Sequence, residues 1–152
     1  MAPLPTSFTG SHPYQVDDRN RVPVPPEFRA HFRDGGYLTP GTGDFLVLHT
    51  PESFAQASEF VERFPQESDD GGDIRRDFYA STYPVQLDGQ GRVVMDRGLT
   101  SLVGISRNVM VVGTGRRLEI WDQAEWDARQ AARRALRHAA FNAQGASPGG
   151  ES

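Results

Sequence analysis

One motif occurs twice in this chain, and that duplication restricts the possible folds more than any other feature. Around Asp17 the sequence reads Pro13-Tyr-Gln-Val-Asp-Asp-Arg-Asn-Arg-Val22, and around Asp88 it reads Pro84-Val-Gln-Leu-Asp-Gly-Gln-Gly-Arg-Val93. Pro, Gln, Asp, Arg and Val coincide at an offset of 71. Gly41-Thr-Gly43 recurs as Gly113-Thr-Gly115 at an offset of 72, Phe45-Leu-Val-Leu48 lies opposite Arg117-Leu-Glu-Ile120, and Phe54 aligns with Trp126. One single-residue insertion reconciles the two offsets. Matches kept in the same order identify a duplicated unit.

Both copies read as the same plan. A short strand (Tyr14–Val16; Val85–Leu87) enters a tight turn, and a second strand (Val22–Val24; Arg92–Met95) leaves it. Asn20 and Gly91 hold the same turn position, and these residue types most readily take the left-handed conformation. A short helix is predicted over Pro26–Arg33 and over Arg97–Leu102. A hairpin follows, clearest in the second copy as Val109–Val112, the Gly-Thr-Gly turn and Leu118–Trp121. Thr50-Pro-Glu-Ser and Asp122-Gln-Ala-Glu125 carry the capping chemistry of helix starts. Between the copies, Ala55–Phe64 reads as helix, Pro65–Asp73 as a polar acidic loop and Ile74–Ala80 as another short helix. Asp127–Phe141 is helical by propensity, while the first seven residues and Asn142–Ser152 are expected to be disordered. The expected organisation is a first repeat over 8–54, connecting helices and acidic loop over 55–80, a second repeat over 81–128, and a C-terminal helix and tail over 129–152.

Four short strands and one or two helices bury too little surface to be stable alone. The copies are therefore expected to share a core, with strands of one completing the sheet of the other in a pseudo-twofold barrel. Such symmetry displays the two turns on the same side of its axis. Residues four apart across a turn come close together, so Asp17 can hold the guanidinium of Arg21, and Asp88 that of Arg92. Two roles fit: an ion pair that stabilises the turn, or an aspartate that pre-orients an arginine for an external anion. Arg19 and Gln90 sit on the same turns with polar tips directed outward.

Charge leaves the second role open. Among the 152 residues all 16 basic ones are arginine, the net charge is −4, and residues 1–72 carry −6 against +2 for 73–152. Arginine's rigid donor fork suits phosphates and base edges, although codon usage in a high-GC genome also produces such a bias. An acidic total argues mildly against nucleic acid, but local patches and not totals meet the backbone.

Other chemistries find little support. With no cysteine, disulfides, a thiol nucleophile and a cysteine-based zinc site are excluded. His12, His31, His49 and His138 lack ligand spacing, so no metal is expected. There is no Walker loop or Gly-x-Ser-x-Gly, and Gly113-Thr-Gly-Arg-Arg-Leu118 lacks the third glycine of a dinucleotide fingerprint. No cofactor and no enzymatic activity are expected. No apolar run approaches the ~18–20 residues of a membrane span, and the opening Met1-Ala-Pro-Leu-Pro lacks the layout of a secretion signal. A soluble, cytoplasmic protein with no membrane partner is expected. Arg129, Arg133 and Arg137 fall on one helix face, which reads as solvated or as a contact with a subunit or nucleic acid. Trp121, Trp126, Phe78 and Tyr79 read as core or interface.

The run Phe8-x-Gly10-x-His12-x-Tyr14-x-Val16-Asp17-Asp-Arg-Asn-Arg21-Val-Pro-Val-Pro25-x-x-Phe28-Arg29 resembles the start of the MraZ family. These are bacterial transcriptional regulators of the division and cell-wall gene cluster, related to AbrB-type DNA-binding modules. Phe78-Tyr79, Leu87-Asp88-Gly-Gln-Gly-Arg92, Val111-Val112-Gly113, Glu119-Ile120-Trp121 and Glu125-Trp126 continue the resemblance in order, over about Phe8 to Ala128. It implies a mainly β fold with flanking helices, in which two tandem AbrB-like repeats form one swapped-hairpin (double-split) barrel. It also implies assembly into a homo-oligomeric ring, and binding to direct repeats in double-stranded DNA upstream of the family's own promoter, hence a nucleoid location. The family's DNA-facing surface maps onto Asp17, Arg19, Asn20, Arg21, Asp88, Gln90, Gly91 and Arg92. Arg19 stands where the family usually has lysine, Asn20 where it has glycine, Asp96 where it has proline and Thr100 where it has arginine. The first-copy counterpart of Thr100, Arg29, is present, so the two turns can contribute unequally. The alternative is an oligomeric protein-interaction ring that binds no DNA.

Overall fold

The computed structural model describes residues 7–145. Most of the expected terminal disorder falls outside the described residues, but Asn142–Gly145 lie within the last helix. The first half holds strands β1 (Ser11–Gln15) and β2 (Arg21–Pro23), a 3-10 helix (Pro26–Phe32), and strands β3 (Gly36–Pro40) and β4 (Phe45–His49). Helices α1 (Pro51–Val61) and α2 (Asp69–Ala80) lead to the second half. There β5 (Tyr83–Val85), β6 (Arg92–Val94), α3 (Arg97–Leu102), β7 (Asn108–Gly113) and β8 (Leu118–Asp122) follow. Helices α4 (Gln123–Ala128) and α5 (Gln130–Gly145) close the described chain.

Six strands form an antiparallel sheet in the order β1-β7-β8-β4-β3-β5, and β2 pairs with β6 as a separate two-stranded ribbon. The fold is thus mainly β with flanking helices. Each half hands its first strand to the other: β1 adds to β7, and β5 adds to β3. Exchanging the halves leaves the strand order unchanged. Val47 stands opposite Glu119, and Val22 opposite Val93, which are equivalent positions of the two halves. An approximate twofold axis passes between both pairs.

The registers correct one detail of the sequence alignment. Leu38 stands opposite Leu48 as Val111 stands opposite Ile120, so β3 matches β7 at an offset of 73 while β4 matches β8 at 72. The first hairpin closes with the Gly41 N–H on the Phe45 carbonyl, the second with the Thr114 N–H on that of Arg117. The first turn is therefore one residue longer, and the two Gly-Thr-Gly segments are displaced by one position. A single insertion does not reconcile the halves.

The shared core explains the pairing. Val22 and Val24 of the first half meet Val93 and Met95 of the second over Leu38, Leu46, Leu48, Val109, Val111, Leu118 and Ile120. Because side chains alternate along a strand, Phe45 and Val47 face the opposite side, where they pack with Met110, Val112 and Trp121 against Trp126. Burial at all five positions of β4 follows from this two-sided cover.

The helices show where local signals hold. The Thr50 hydroxyl accepts from the Ser53 N–H at 3.0 Å with Pro51 in the first turn, the expected cap, and the helix expected over Ala55–Phe64 continues from it as one helix that ends at Val61. The expected acidic loop ends at Ser68, whose hydroxyl accepts from the Gly71 N–H at 2.9 Å. Asp69 and Asp70 then occupy the first turn of α2, where carboxylates favour the helix N-terminus. Asp122 precedes α4 as expected, but its carboxylate accepts from the N–H and hydroxyl of Ser106. The arginine stripe is largely the solvated face expected of it: Arg129 and Arg137 are exposed, and of the three Arg133 alone is partly buried. The Arg133 guanidinium lies 3.5 Å from the Trp126 ring centre and donates to the Trp126 carbonyl, and Arg137 lies 4.6 Å from the centre of Phe141. The first contact holds Arg133 against Trp126, whereas Phe141 beside Arg137 is itself exposed. Among the described residues no helix is long and apolar enough to cross a membrane.

Candidate nucleic-acid interface

Each turn is built by its own aspartate. The Asp17 carbonyl accepts from the Asn20 N–H at 2.9 Å, and the Asp88 carbonyl accepts from the Gly91 N–H at 3.0 Å. Asn20 and Gly91 take φ of 59° and 78°, the left-handed region expected for these residue types. Asp17 Oδ1 accepts from the N–H groups of Arg19 and Arg21 at 3.0 and 2.9 Å, while Oδ2 accepts from Arg21 Nε at 2.7 Å. Asp88 repeats the arrangement with Gln90, Arg92 and Arg92 Nε, each at 2.9 Å.

The ribbon then joins the turns. Val22 and Val93 face the core, so Arg21 and Arg92 share the outer face as diagonal neighbours. Arg21 Nη1 lies 3.6 Å from Asp88 Oδ2, and Arg92 Nη1 lies 3.6 Å from Asp17 Oδ2. Two acids and two arginines thus form one closed cluster, with side chains 21–32% exposed. Among the described residues Nη2 of neither arginine donates a hydrogen bond, which leaves it a donor for an external acceptor.

Both carboxyls are held below the ordinary aspartate range. At Asp17 the largest single influence, partial desolvation, opposes this and is outweighed by hydrogen bonds from Arg21 and the Arg19 N–H. At Asp88 the Arg92 N–H is the leading cause. Both therefore remain ionised at neutral pH and keep their arginines braced.

The structure brings Asp17, Arg21, Asp88 and Arg92 together, with Arg19 and Gln90 exposed on the turns. Asn20 and Gly91 face inward instead. Asn20 Nδ2 donates to the Met95 carbonyl at 2.7 Å and to Thr100 Oγ1 at 3.3 Å. At Gly91 an added Cβ would come within 2.2 Å of Arg29 Nε, which donates to the Val24 carbonyl at 2.8 Å. These are equivalent sites filled in opposite ways: a long turn residue with short Thr100, and glycine with long Arg29. Gly91→Asn is expected to destabilise the protein by about 1–3 kcal/mol through overpacking. Adding Arg29→Thr copies the first pair and recovers most of that loss. Denaturant titrations of a double-mutant cycle check this, and additive losses would disprove the complementarity.

Two further cations reach the first turn from distant segments. Arg107 lines a groove of about 440 Å³ with Asp17, Asp18, Arg19 and Arg21. Arg97 Nη2 donates to the Asp18 carbonyl at 2.9 Å. Neither arginine was singled out in the sequence, because neither has an arginine at its equivalent position in the first half.

Residues 78–145 match the family model described as "MraZ protein, putative antitoxin-like". The chain is 34% identical over 119 residues to the transcriptional regulator MraZ of Kocuria rhizophila, covering 78% of this chain and 83% of that protein. It is 31% identical over 126 residues to the transcriptional regulator MraZ of Dehalococcoides mccartyi, covering 82% and 89%. Against that of Deinococcus radiodurans it is 33% identical over 123 residues, covering 81% and 87%.

Proposed function

The chain belongs to the MraZ family, and from that premise we propose that it is a transcriptional regulator binding double-stranded DNA through the Asp17–Arg21 and Asp88–Arg92 turns. The family is one of transcriptional regulators and not of enzymes. The observation that carries the reading is the closed cluster of two carboxylates and two guanidiniums on one outer face. Arg19 and Gln90 flank it, while Asn20 and Gly91 set the turn geometry from inside.

The mechanism follows from the bracing. A guanidinium already fixed through Nε loses less side-chain freedom when it meets a phosphate or a guanine edge. A two-stranded ribbon also has the width to enter a major groove. The strand exchange and its approximate twofold support two tandem AbrB-like repeats, over 8–54 and 81–128, sharing one swapped-hairpin barrel. One protomer offers few phosphate contacts for an acidic protein. A homo-oligomeric ring on successive direct repeats upstream of its own promoter raises effective concentration without new contacts. The regulated genes are the division and cell-wall cluster, and the location is cytoplasmic at the nucleoid.

The test is titration of the native upstream duplex against a scrambled duplex at several salt concentrations. Preference for the native duplex, with affinity falling steeply as salt rises, is expected because each phosphate contact displaces counterions. Equal affinity for both duplexes, or a flat salt response, would overturn the reading.

A further inference from the structure

We propose that Arg107 and Arg19 form a one-sided phosphate clamp beside the first turn, and that this clamp fixes the direction in which the ribbon lies along DNA. The proposal rests on the DNA-binding reading and adds a contact and a polarity to it. A perfectly twofold ribbon would lie on a duplex equally well in either direction, because the two sugar–phosphate strands are themselves related by twofold axes. Any preferred direction must come from residues that break the protein's symmetry.

Those residues gather at the first turn. Arg19 corresponds to Gln90, Arg97 to Pro26, and Arg107, immediately before β7, to Asp34 before β3. Asp18, opposite Gly89, also lines the groove and opposes an anion there. Even so, three arginines meet two carboxylates, and Arg21 already neutralises Asp17. Arg19 and Arg107 are exposed and have no ion-pair partner among the described residues. The groove therefore keeps a surplus of positive charge.

Its wall is also held in place. The Arg107 carbonyl accepts from the Val16 N–H at 2.8 Å, one residue before Asp17, and Arg97 ties down the Asp18 carbonyl. At the second turn Gln90 is neutral and Asp34 stands in the place of Arg107, while Arg29 keeps its charge there as Arg97 does at the first turn, each bonded to a backbone carbonyl. Phosphate attraction is thus stronger at one end of the ribbon than at the other.

Two measurements test this on the full chain. Arg107→Ala, with Arg107→Gln as a second variant, should lower affinity for the upstream duplex about five- to tenfold. It should also reduce the salt slope by about one, with the thermal melt unchanged. Asp34→Ala, at the equivalent position, should leave the slope as it is. Direction is read by affinity cleavage. The chain has no cysteine, so Gly89→Cys carries a single iron chelate at an exposed position where an added Cβ meets nothing within 4 Å. On a duplex with one copy of the site, cleavage is expected on one side only, and on both sides once Arg107→Ala is added. Symmetrical cleavage by the otherwise native protein, or an unchanged affinity and slope in both Arg107 variants, would overturn the clamp. If Arg21→Ala with Arg92→Ala still abolishes binding in that case, the functional reading stands; if it does not, that reading fails separately.

Discussion

Replacing Arg21 and Arg92 together by alanine is expected to lower affinity for the upstream duplex by at least about 100-fold while the protein stays folded. A guanidinium contact to a base edge contributes about 1–3 kcal/mol, and two lost contacts of intermediate strength correspond to about 3 kcal/mol or more, near two powers of ten. A second effect has the same sign. Without the guanidiniums, Asp17 and Asp88 become uncompensated carboxylates facing a polyanion. The fold should tolerate the change, because partly exposed ion pairs contribute only ~0–1 kcal/mol. Both carboxylates also still accept the backbone N–H groups that shape their turns. The contrasting pair, Asp17→Asn with Asp88→Asn, adds positive charge but removes the ionic brace. It should raise binding to scrambled DNA and narrow the preference for the native duplex. Fluorescence-anisotropy titrations beside thermal melts separate these outcomes, and a double alanine variant with native affinity would remove the turns from the interface.

Acid should weaken the protein in two stages, of which the first belongs to His49. This residue ends β4, is 3% exposed, and has Nδ1 2.8 Å from the Ser53 hydroxyl. Burial, with the Arg117 charge as a second cause, lowers its pKa from 6.5 to about 4. Below pH 6.5 the unfolded chain therefore takes up a proton that the folded chain refuses. Stability is full above that value and falls until the folded pKa near 4 is reached, by up to about 3 kcal/mol. Further acid costs nothing more at this group. The second stage comes from carboxyls whose folded pKa is lowered, namely Asp17, Asp88, Asp122 and Glu62. Their contribution is present above the ordinary carboxylate range and is lost as pH falls through it and below. Urea titrations from about pH 7 to about pH 5, above the carboxylate range, should show the first stage in the native protein and a nearly flat profile in His49→Gln. Equal pH slopes in both would place the acid sensitivity elsewhere.

Each Asp-x-x-x-Arg turn could be read directly because its bonds close within five residues: a carboxylate, the N–H groups beyond it and the arginine at the fourth position. Thr50 capping α1 was legible for the same reason. The family resemblance was legible through the spacing of such local units along the chain. Acidic residues at 69 and 70 misled, since the same side chains that solvate a loop also suit the first turn of a helix. Periodicity places the arginine stripe on one exposed face, but it does not say that Trp126 lies beneath Arg133.

The chain by itself determined the two turns, their chemistry and the need for a shared core, because these depend on short-range geometry and on how little surface one repeat can bury. The tertiary structure alone decided that the turns would touch, that Asn20 would reach inward to Met95 and Thr100, and that Arg97 and Arg107 would gather at one turn only. Those contacts join residues 67 to 80 positions apart. They exist because β2 pairs with β6 and β1 with β7, and such pairing is settled by packing across the whole core and not by any neighbouring residue.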